Sequence, residues 1–392
     1  MIIIDNKKEC TGCGACVNAC PFNIISLSED EEGFWYPEVE KDKCVDCHLC
    51  EKACPMLKVS SRLADIDGQV YPKYFSGQLK SKEILSEVSS GGAFWAFAVA
   101  VIEAGGVVYG AVQNDVDTII HVRADTIEEI KPMRRSKYFQ SDTGWTFRKV
   151  REDLKTGIPV LYSGTGCQIA GLIGYLGMHP ENLFTCDVVC HGVPSRRVWR
   201  QYRKEKEERT GKKIVGLVFR DKSLGWSRNQ YKITFDDGTV EKEASTIQLF
   251  HAGYLRGLFY RPSCGSCRFA SLPRISDVTL ADYWKYKGRF RQLGFDLGVS
   301  LITVNTVRGE RLLKMSAVYL DYDTTYETLA LDSCRHLGSH PYENPYRSAF
   351  FKLFSEKGYF AAADKYIVNE HDSSFIKKLL RKLLKSIRRY NK

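Results

Sequence analysis

The sequence predicts a small α+β domain at the N terminus, followed by a larger α/β body with a mostly parallel sheet. Two observations carry this. Residues 1–58 hold two copies of one cysteine pattern, and from Tyr74 onward short apolar strands alternate with helices. Such alternation builds parallel sheets, because a parallel return needs a crossover and the crossover is usually a helix.

The two cysteine copies are Cys10, Cys13, Cys16 and Cys20, followed by Pro21, and Cys44, Cys47, Cys50 and Cys54, followed by Pro55. Both read C-x2-C-x2-C-x3-C-P. Three close thiolates wrap one [4Fe–4S] cubane, and the fourth cysteine reaches across to the other. One cluster is therefore expected on Cys10, Cys13, Cys16 and Cys54, and a second on Cys44, Cys47, Cys50 and Cys20. Zinc knuckles and disulfide scaffolds also gather cysteines, but neither requires the third spacing or the Cys-Pro endings. Gly12, Gly14 and Ala15 leave room for backbone N–H groups near the sulfurs. The half-repeat resembles bacterial two-cluster ferredoxins over residues 1–58. The N-terminal unit is thus expected to be a ferredoxin-like domain that moves single electrons.

Composition sets the context. The chain has 392 residues, 14 cysteines and a formal charge of +10. Eight cysteines are assigned above as reduced ligands. The opening MIIIDNKKEC charges too early for a secretory signal, so a cytoplasmic location is expected. The longest apolar run, Ala93 to Ile102, is too short to span a bilayer. Eight of the 57 basic residues lie in 373–392 with no acid among them, leaving 49 bases against 47 acids elsewhere. The charge describes a tail rather than a nucleic-acid-binding body.

Residues 59–72 are polar, aperiodic and end in Tyr71-Pro72, which reads as a linker. Ala93–Ala104 is an apolar helix closed by Gly105-Gly106, and Val107–Val112 and Ile119–Arg123 are strands. Thr126 and Glu129 form a capping box. A helix is expected over Gly144–Lys155, a strand over Ile158–Tyr162, a small-residue helix over Gln168–Leu176 and a strand over Leu183–Val189. Val198–Arg209 is a charged helix, Ile214–Phe219 a strand, and Tyr231–Val240 a hairpin turning at Asp236-Asp237-Gly238.

Two constellations in the body carry chemistry. Cys167 and Cys190 each follow a strand, and Cys264 and Cys267 form a C-x-x-C clamp. Loops at the carboxyl ends of strands in an open α/β sheet are where ligands bind. The four thiolates fit a third cluster, and an all-thiolate zinc site fits the spacing equally. Cys186 could replace Cys167, and Cys334 reads as an ordinary buried thiol. The second constellation is Ser89-Ser90-Gly91-Gly92 before the Ala93 helix, with Arg134-Arg135-Ser136-Lys137-Tyr138-Phe139-Gln140-Ser141 downstream. A glycine turn at a helix start, cations and an aromatic ring suit a dinucleotide such as FAD, although plain helix capping explains the turn as well. Clusters pass one electron and most metabolites change by two, and a flavin joins the two regimes.

These motifs, with Gly164-Thr165-Gly166-Cys167-Gln168, Cys190-His191-Gly192 and the stretch from Asp277 to Trp284, resemble the coenzyme F-420 hydrogenase/dehydrogenase beta-subunit family over residues 73–330. The resemblance implies an FAD-binding body with its own [4Fe–4S] cluster and a face for a deazaflavin hydride carrier. By position, Ser90, Gly91, Gly92, Ser136, Lys137, Tyr138, Gln140 and Ser141 would hold FAD, and Cys167, Cys190, Cys264 and Cys267 the cluster. Gly166 departs from the family's common proline, so a looser turn before Cys167 is expected. The body divides into 73–155 with the flavin cradle and 156–330 with the third cluster. The function expected is an iron–sulfur flavoprotein oxidoreductase, or else a non-catalytic electron-transfer subunit feeding a partner.

A C-terminal extension, 331–392, ends in an amphipathic pattern. Phe375, Ile376, Leu379, Leu380, Leu383, Leu384 and Ile387 recur at helical spacing among basic residues. Such a helix suits either docking on protein or peripheral contact with an anionic inner membrane face.

Overall fold

A computed structural model of the chain describes residues 1–57, 69–228, 230–244, 248–291 and 296–369. The linker sequence from 59 to 68 and the basic tail 373–392 lie outside the described residues. In the N-terminal domain each cysteine loop leads into one short helix, Ala15–Ala19 and Leu49–Ala53. Each helix starts from a left-handed residue, Gly14 at φ 79° and His48 at φ 58°. Between them β1 (Ile25–Glu29) and β2 (Trp35–Val39) form an antiparallel hairpin.

The body is built on a nine-stranded sheet. Its strands are β3 (Gln69–Leu79), β4 (Val107–Gln113), β5 (Ile119–Ala124), β6 (Ser141–Asp142), β7 (Val160–Thr165), β8 (Leu183–Val188), β12 (Val278–Asp282), β13 (Ser300–Thr306) and β14 (Leu320–Thr325). They lie in the order β14-β3-β13-β12-β8-β7-β4-β5-β6. The sheet is mixed, not mostly parallel as expected. Parallel pairing holds for β4/β7, β7/β8, β8/β12 and β5/β6, whereas β4/β5, β12/β13, β3/β13 and β3/β14 are antiparallel. The turn between β4 and β5, Asn114 to Thr118, is too short for a crossover and folds as a hairpin. β3 begins at Gln69, inside the sequence assigned to the linker.

Strand alternation divides two cores. On one face Val108, Leu161, Phe184 and Cys186 pack with the buried helix Ala93–Glu103 and with Leu312 and Leu313. On the other face Val107, Tyr109, Val160 and Tyr162 pack with Phe147, Ile169 and Leu172, and also with Cys13, Ala15 and Ala53 of the N-terminal domain. The N-terminal domain therefore completes a core of the body. A second sheet, β9 (Ile214–Asp221), β10 (Gln230–Phe235) and β11 (Val240–Ala244), holds an aromatic lobe with Trp199, Phe250 and Phe259. Part of the expected C-terminal extension belongs to this lobe. Phe350, Phe354 and Tyr359 on the helices Arg347–Lys357 and Tyr359–Ala363 are buried there, each side chain contributing about 2–3 kcal/mol. Among the described residues no helix is long and apolar enough to cross a membrane.

Helix ends follow local chemistry. Thr126 Oγ1 accepts from Glu129 N, but the Glu129 carboxylate reaches the N–H of Asp125 rather than of Thr126, so the expected box is offset. Ahead of the Gly166–Leu176 helix, Gln168 Oε1 accepts from Thr165 N at 3.0 Å. The helix after Gly144 starts at Thr146, because Gly144 sits at φ 48°.

Candidate functional site

The two halves of the cysteine repeat come together in crossed sets. Cys54 lies close enough to Cys13 and Cys16 to repel their thiolates, as does Cys10. Burial, reinforced by these neighbours, pushes the Cys13 thiol up to about 12. Cys20 instead lines one small cavity with Cys44, Cys47 and Cys50, roofed by Phe22, Ile24 and Val45. Cys47 and Val45 are exposed there, so this second set lies at the molecular surface.

The body holds a third gathering. β7 ends at Thr165 and delivers Cys167 in the first turn of the following helix. Cys190 follows β8, and its loop is tied to the segment before the C-x-x-C, with Pro194 bridging Tyr260 and Arg261 N donating to Val193 O at 2.9 Å. Cys264 and Cys267 sit on the Pro262–Ser266 turn and its exit. Burial and mutual repulsion raise these thiols, with Cys190 at about 12 and Cys267 at about 11, and Cys264 feels Cys190, Cys267 and Cys167. Cys186 is elsewhere. It points to the opposite face of the sheet, in the apolar core with Phe184 and Val278. Gly166 does not loosen the turn before Cys167. A Cβ on it would lie 3.1 Å from Asp187 Oδ2 and 3.2 Å from Phe269, so the turn is tightly packed.

The donor set suits an anionic, thiolate-ligated group. Arg274 is 2% exposed and pairs with the fully buried Asp187 at 2.9 Å, yet its Nε and Nη1 have no partner among the described residues. Its charge acts on both Cys190 and Cys267. Buried unpaired donors are rare and mark a missing acceptor. Among the described residues no three His, Cys, Asp or Glu side chains converge to hold a single metal ion.

The flavin constellation is only partly assembled. Arg134, Arg135, Ser136 and Lys137 line an open cleft of about 390 Å³ together with Glu87, Gln113, Lys131 and the β9 residues Leu217–Phe219. Arg135 holds the left-handed conformation at φ 69°, and Ser136 N donates to Ser89 Oγ at 2.7 Å. Lys137 Nζ donates to Pro132 O and Arg134 O, and burial with Arg135 nearby lowers it to about 7. The glycine turn, however, is not an open cradle. A Cβ on Gly91 would meet Gly77 O at 2.2 Å and Ser300 N at 2.4 Å, and Gly92 packs on Leu79. Gly91 O accepts from Leu79 N, Ser90 Oγ donates to Val299 O, and Ala93 N donates to Ser300 Oγ. These glycines let the turn press against β3 and β13. Tyr138 is half-buried among Phe219, His251 and Tyr254 behind the cleft wall. Gln140 and Ser141 face away from the cleft. Gln140 donates to Thr11 O and Gly12 O of the first cysteine loop, and Ser141 Oγ accepts from Gln168.

Sequence reasoning missed the residues that dock the two units. Arg261 donates to Cys10 O, Arg148 to Asn18 O and Cys20 O, and Arg268 to Met56 O. Gly171 is the contact point of the Cys167 helix, where a Cβ would lie 2.9 Å from Cys13 Sγ. Only the position of Arg261, three residues before Cys264, offered a signal. The docking brings Cys13 near Cys167. From the body cysteines an aromatic chain leads toward the cleft, with Tyr254 5.7 Å from His191 and 5.6 Å from Tyr138 between ring centres.

Known families match both parts of this arrangement. Residues 9–57 match the model of the 4Fe-4S dicluster domain. Residues 159–326, which include Cys167, Cys190, Cys264 and Cys267, match that of the C terminus of the coenzyme F420 hydrogenase/dehydrogenase beta subunit. The chain thus joins a region of the coenzyme F420 hydrogenase/dehydrogenase beta-subunit family, over residues 159–326, to an N-terminal 4Fe-4S dicluster domain. A solved chain from the F420-reducing [NiFe] hydrogenase complex of Methanosarcina barkeri is similar at 18% identity, over 76% of this chain and 91% of that one, with a TM-score of 0.46. No curated protein gives a significant match. As a beta-subunit body with an iron–sulfur domain, the chain is an iron–sulfur electron-transfer protein of the oxidoreductase class.

Proposed function

We propose that this protein is an iron–sulfur flavoprotein oxidoreductase whose three cysteine sets form one path between a partner at the surface and a two-electron site in the body. The observation that carries this is the contiguity of the sets, with Cys13 beside Cys167 and Cys190, Cys264 and Cys267 around it. The Cys44, Cys47, Cys50 and Cys20 set takes the outer position, the Cys10, Cys13, Cys16 and Cys54 set the middle one, and Cys167, Cys190, Cys264 and Cys267 the inner one. The cleft beside Arg135, Ser136 and Lys137 takes the phosphates of FAD, which supplies exchange between one- and two-electron steps when bound. Its volume falls in the range of small-molecule sites, and the strained Arg135 is kept exposed at its edge. A deazaflavin coenzyme is the hydride partner suggested by the family, and another two-electron carrier fits the same chemistry.

A second reading has its own support. The matching family is described as a beta subunit, and the outer cysteine set is rimmed by the exposed Phe22, Val45 and Leu49. On that reading the chain feeds a partner enzyme and has no turnover alone. Anaerobic purification followed by iron, sulfide, zinc and flavin determination tests the body. The expected result is three cubanes, about twelve irons and twelve sulfides per chain, with FAD. Eight irons with zinc and no flavin would remove the oxidoreductase reading of the body. Turnover only after a partner is added would favour the electron-transfer role.

A further inference from the structure

Arg261 stands at the junction of the middle and inner cysteine sets. Its backbone is fixed to both inner loops, with N donating to Val193 O and O accepting from Cys264 N, each at 2.9 Å. Its side chain crosses into the N-terminal domain. Nε donates to Cys10 O at 2.9 Å, and Nη2 donates to Trp35 O at 2.5 Å and to Cys10 Sγ at 3.6 Å. Nη1 donates to Gln140 Oε1 at 3.2 Å, and the guanidinium lies 4.5 Å from the centre of the Tyr36 ring. Gly12 makes room for it, since a Cβ there would sit 2.8 Å from Nη1.

The environment is unusual for a cation. Arg261 is 1% exposed, and among the described residues it forms no ion pair with a carboxylate. Its acceptors are two carbonyls, one amide oxygen and one cysteine sulfur. A buried charge is costly unless an opposite charge accompanies it. The sulfurs within reach are those of Cys10 on one side and Cys167 on the other, and as cluster ligands they would supply the opposite charge.

We propose that Arg261 is a positioning residue that raises the reduction potential of the cluster on Cys10, Cys13, Cys16 and Cys54. This rests on the reading that the cysteine sets hold clusters. An added electron makes the cluster more negative. A fixed cation donating to its sulfur stabilises that reduced form, and hydrogen bonds to cluster sulfurs are a recognised lever on potential. The outer set lies at the surface and makes no contact with Arg261 among the described residues, so its potential serves as the internal reference.

The test is a potentiometric titration of the full chain, followed by electron paramagnetic resonance, on the natural protein, Arg261→Gln and Arg261→Lys. Iron and sulfide are counted in each. In Arg261→Gln the reduced-to-oxidised ratio of the middle set at fixed potential should fall about tenfold, equivalent to about 59 mV for one electron. The outer set should not move, and Arg261→Lys, which keeps the charge but not the fork, should shift less. An unmoved middle set in Arg261→Gln overturns the proposal, as do equal shifts of both sets or of both variants. If Arg261→Gln does not retain its iron, Arg261→Lys decides alone, and an unchanged or raised potential overturns the inference. Natural protein lacking iron and sulfide would instead remove the cluster reading beneath it.

Discussion

Lys137 shows how one residue can report on the cleft. Its ammonium is held by two backbone carbonyls, and burial with Arg135 nearby lowers it to about 7 from an ordinary value of 10.5. Near pH 8 the group is therefore mostly neutral in the free protein. A bound diphosphate favours the charged form and raises the value. Binding a dinucleotide at pH 8 should thus take up close to one proton, and affinity should weaken as pH rises through the bound-state value. Calorimetry of FAD binding in two buffers of different ionisation heat measures this directly. Lys137→Met should abolish the uptake and weaken binding by about ten- to a hundredfold, roughly the 1.5–3 kcal/mol of a hydrogen bond to a charged group. Buffer-independent heats, or equal uptake by the variant, would place the phosphates away from Lys137. At this scale the sequence was informative about residue type and poor about direction. Cys186 and Cys167 looked interchangeable because spacing does not reveal strand parity, yet alternation along β8 sends Cys186 to the opposite core. Gln140 carried a dinucleotide-like pattern and is used on the first cysteine loop instead.

Among the elements, the helix Gly166–Leu176 does two tasks. Its first turn presents Cys167, and Gly171 further along receives the N-terminal domain. Glycine inside a helix costs about 1 kcal/mol relative to alanine, so its use here needs a packing reason. The neighbour supplies one, because a Cβ at 171 would lie 2.9 Å from Cys13 Sγ and 3.1 Å from its Cβ. A cysteine committed to a rigid cluster cannot yield as a flexible side chain would. Gly171→Ala should therefore destabilise the protein by about 1–3 kcal/mol in spite of the gain in helix propensity. Amide exchange should quicken over residues 13–20 and remain slow in β7. Stabilisation by Gly171→Ala would mean that the cysteine loop moves freely and that the contact is not tight. The existence of this helix and of its neighbours β7 and β8 was legible from apolar runs bounded by glycine and polar residues. Which side met another domain was not, because small residues on a helix report only that something lies close.

At the scale of the whole molecule, the sheet order and the docking of the two units escaped the sequence. Strand–helix alternation gives the parallel run from β7 to β8, but β4 and β5 form a hairpin, and the antiparallel additions of β3, β13 and β14 are joined by connections whose length does not dictate direction. The cysteine repeat, by contrast, fixed an arrangement that extends across the whole N-terminal domain. Cys54 stands with Cys13 and Cys16, and Cys20 with Cys44, Cys47 and Cys50. Each half of the repeat thus places one cysteine beside three of the other, and the middle set borders the body through Cys10 and Cys13. Cys54→Ala and Cys20→Ala then differ in consequence. Cys54→Ala should take the count from about twelve irons to about eight, remove the middle signal in electron paramagnetic resonance, and leave the outer one. Electrons entering at the exposed Cys47 would face the gap, so reduction of the inner set by a protein donor should slow at least about tenfold. Cys20→Ala should remove the outer signal and leave the middle set able to pass electrons from a small reductant to the body. Twelve irons retained in Cys54→Ala would end the crossed assignment. Loss of the outer signal in that variant, in place of the middle one, would show that each half of the repeat builds its own cluster.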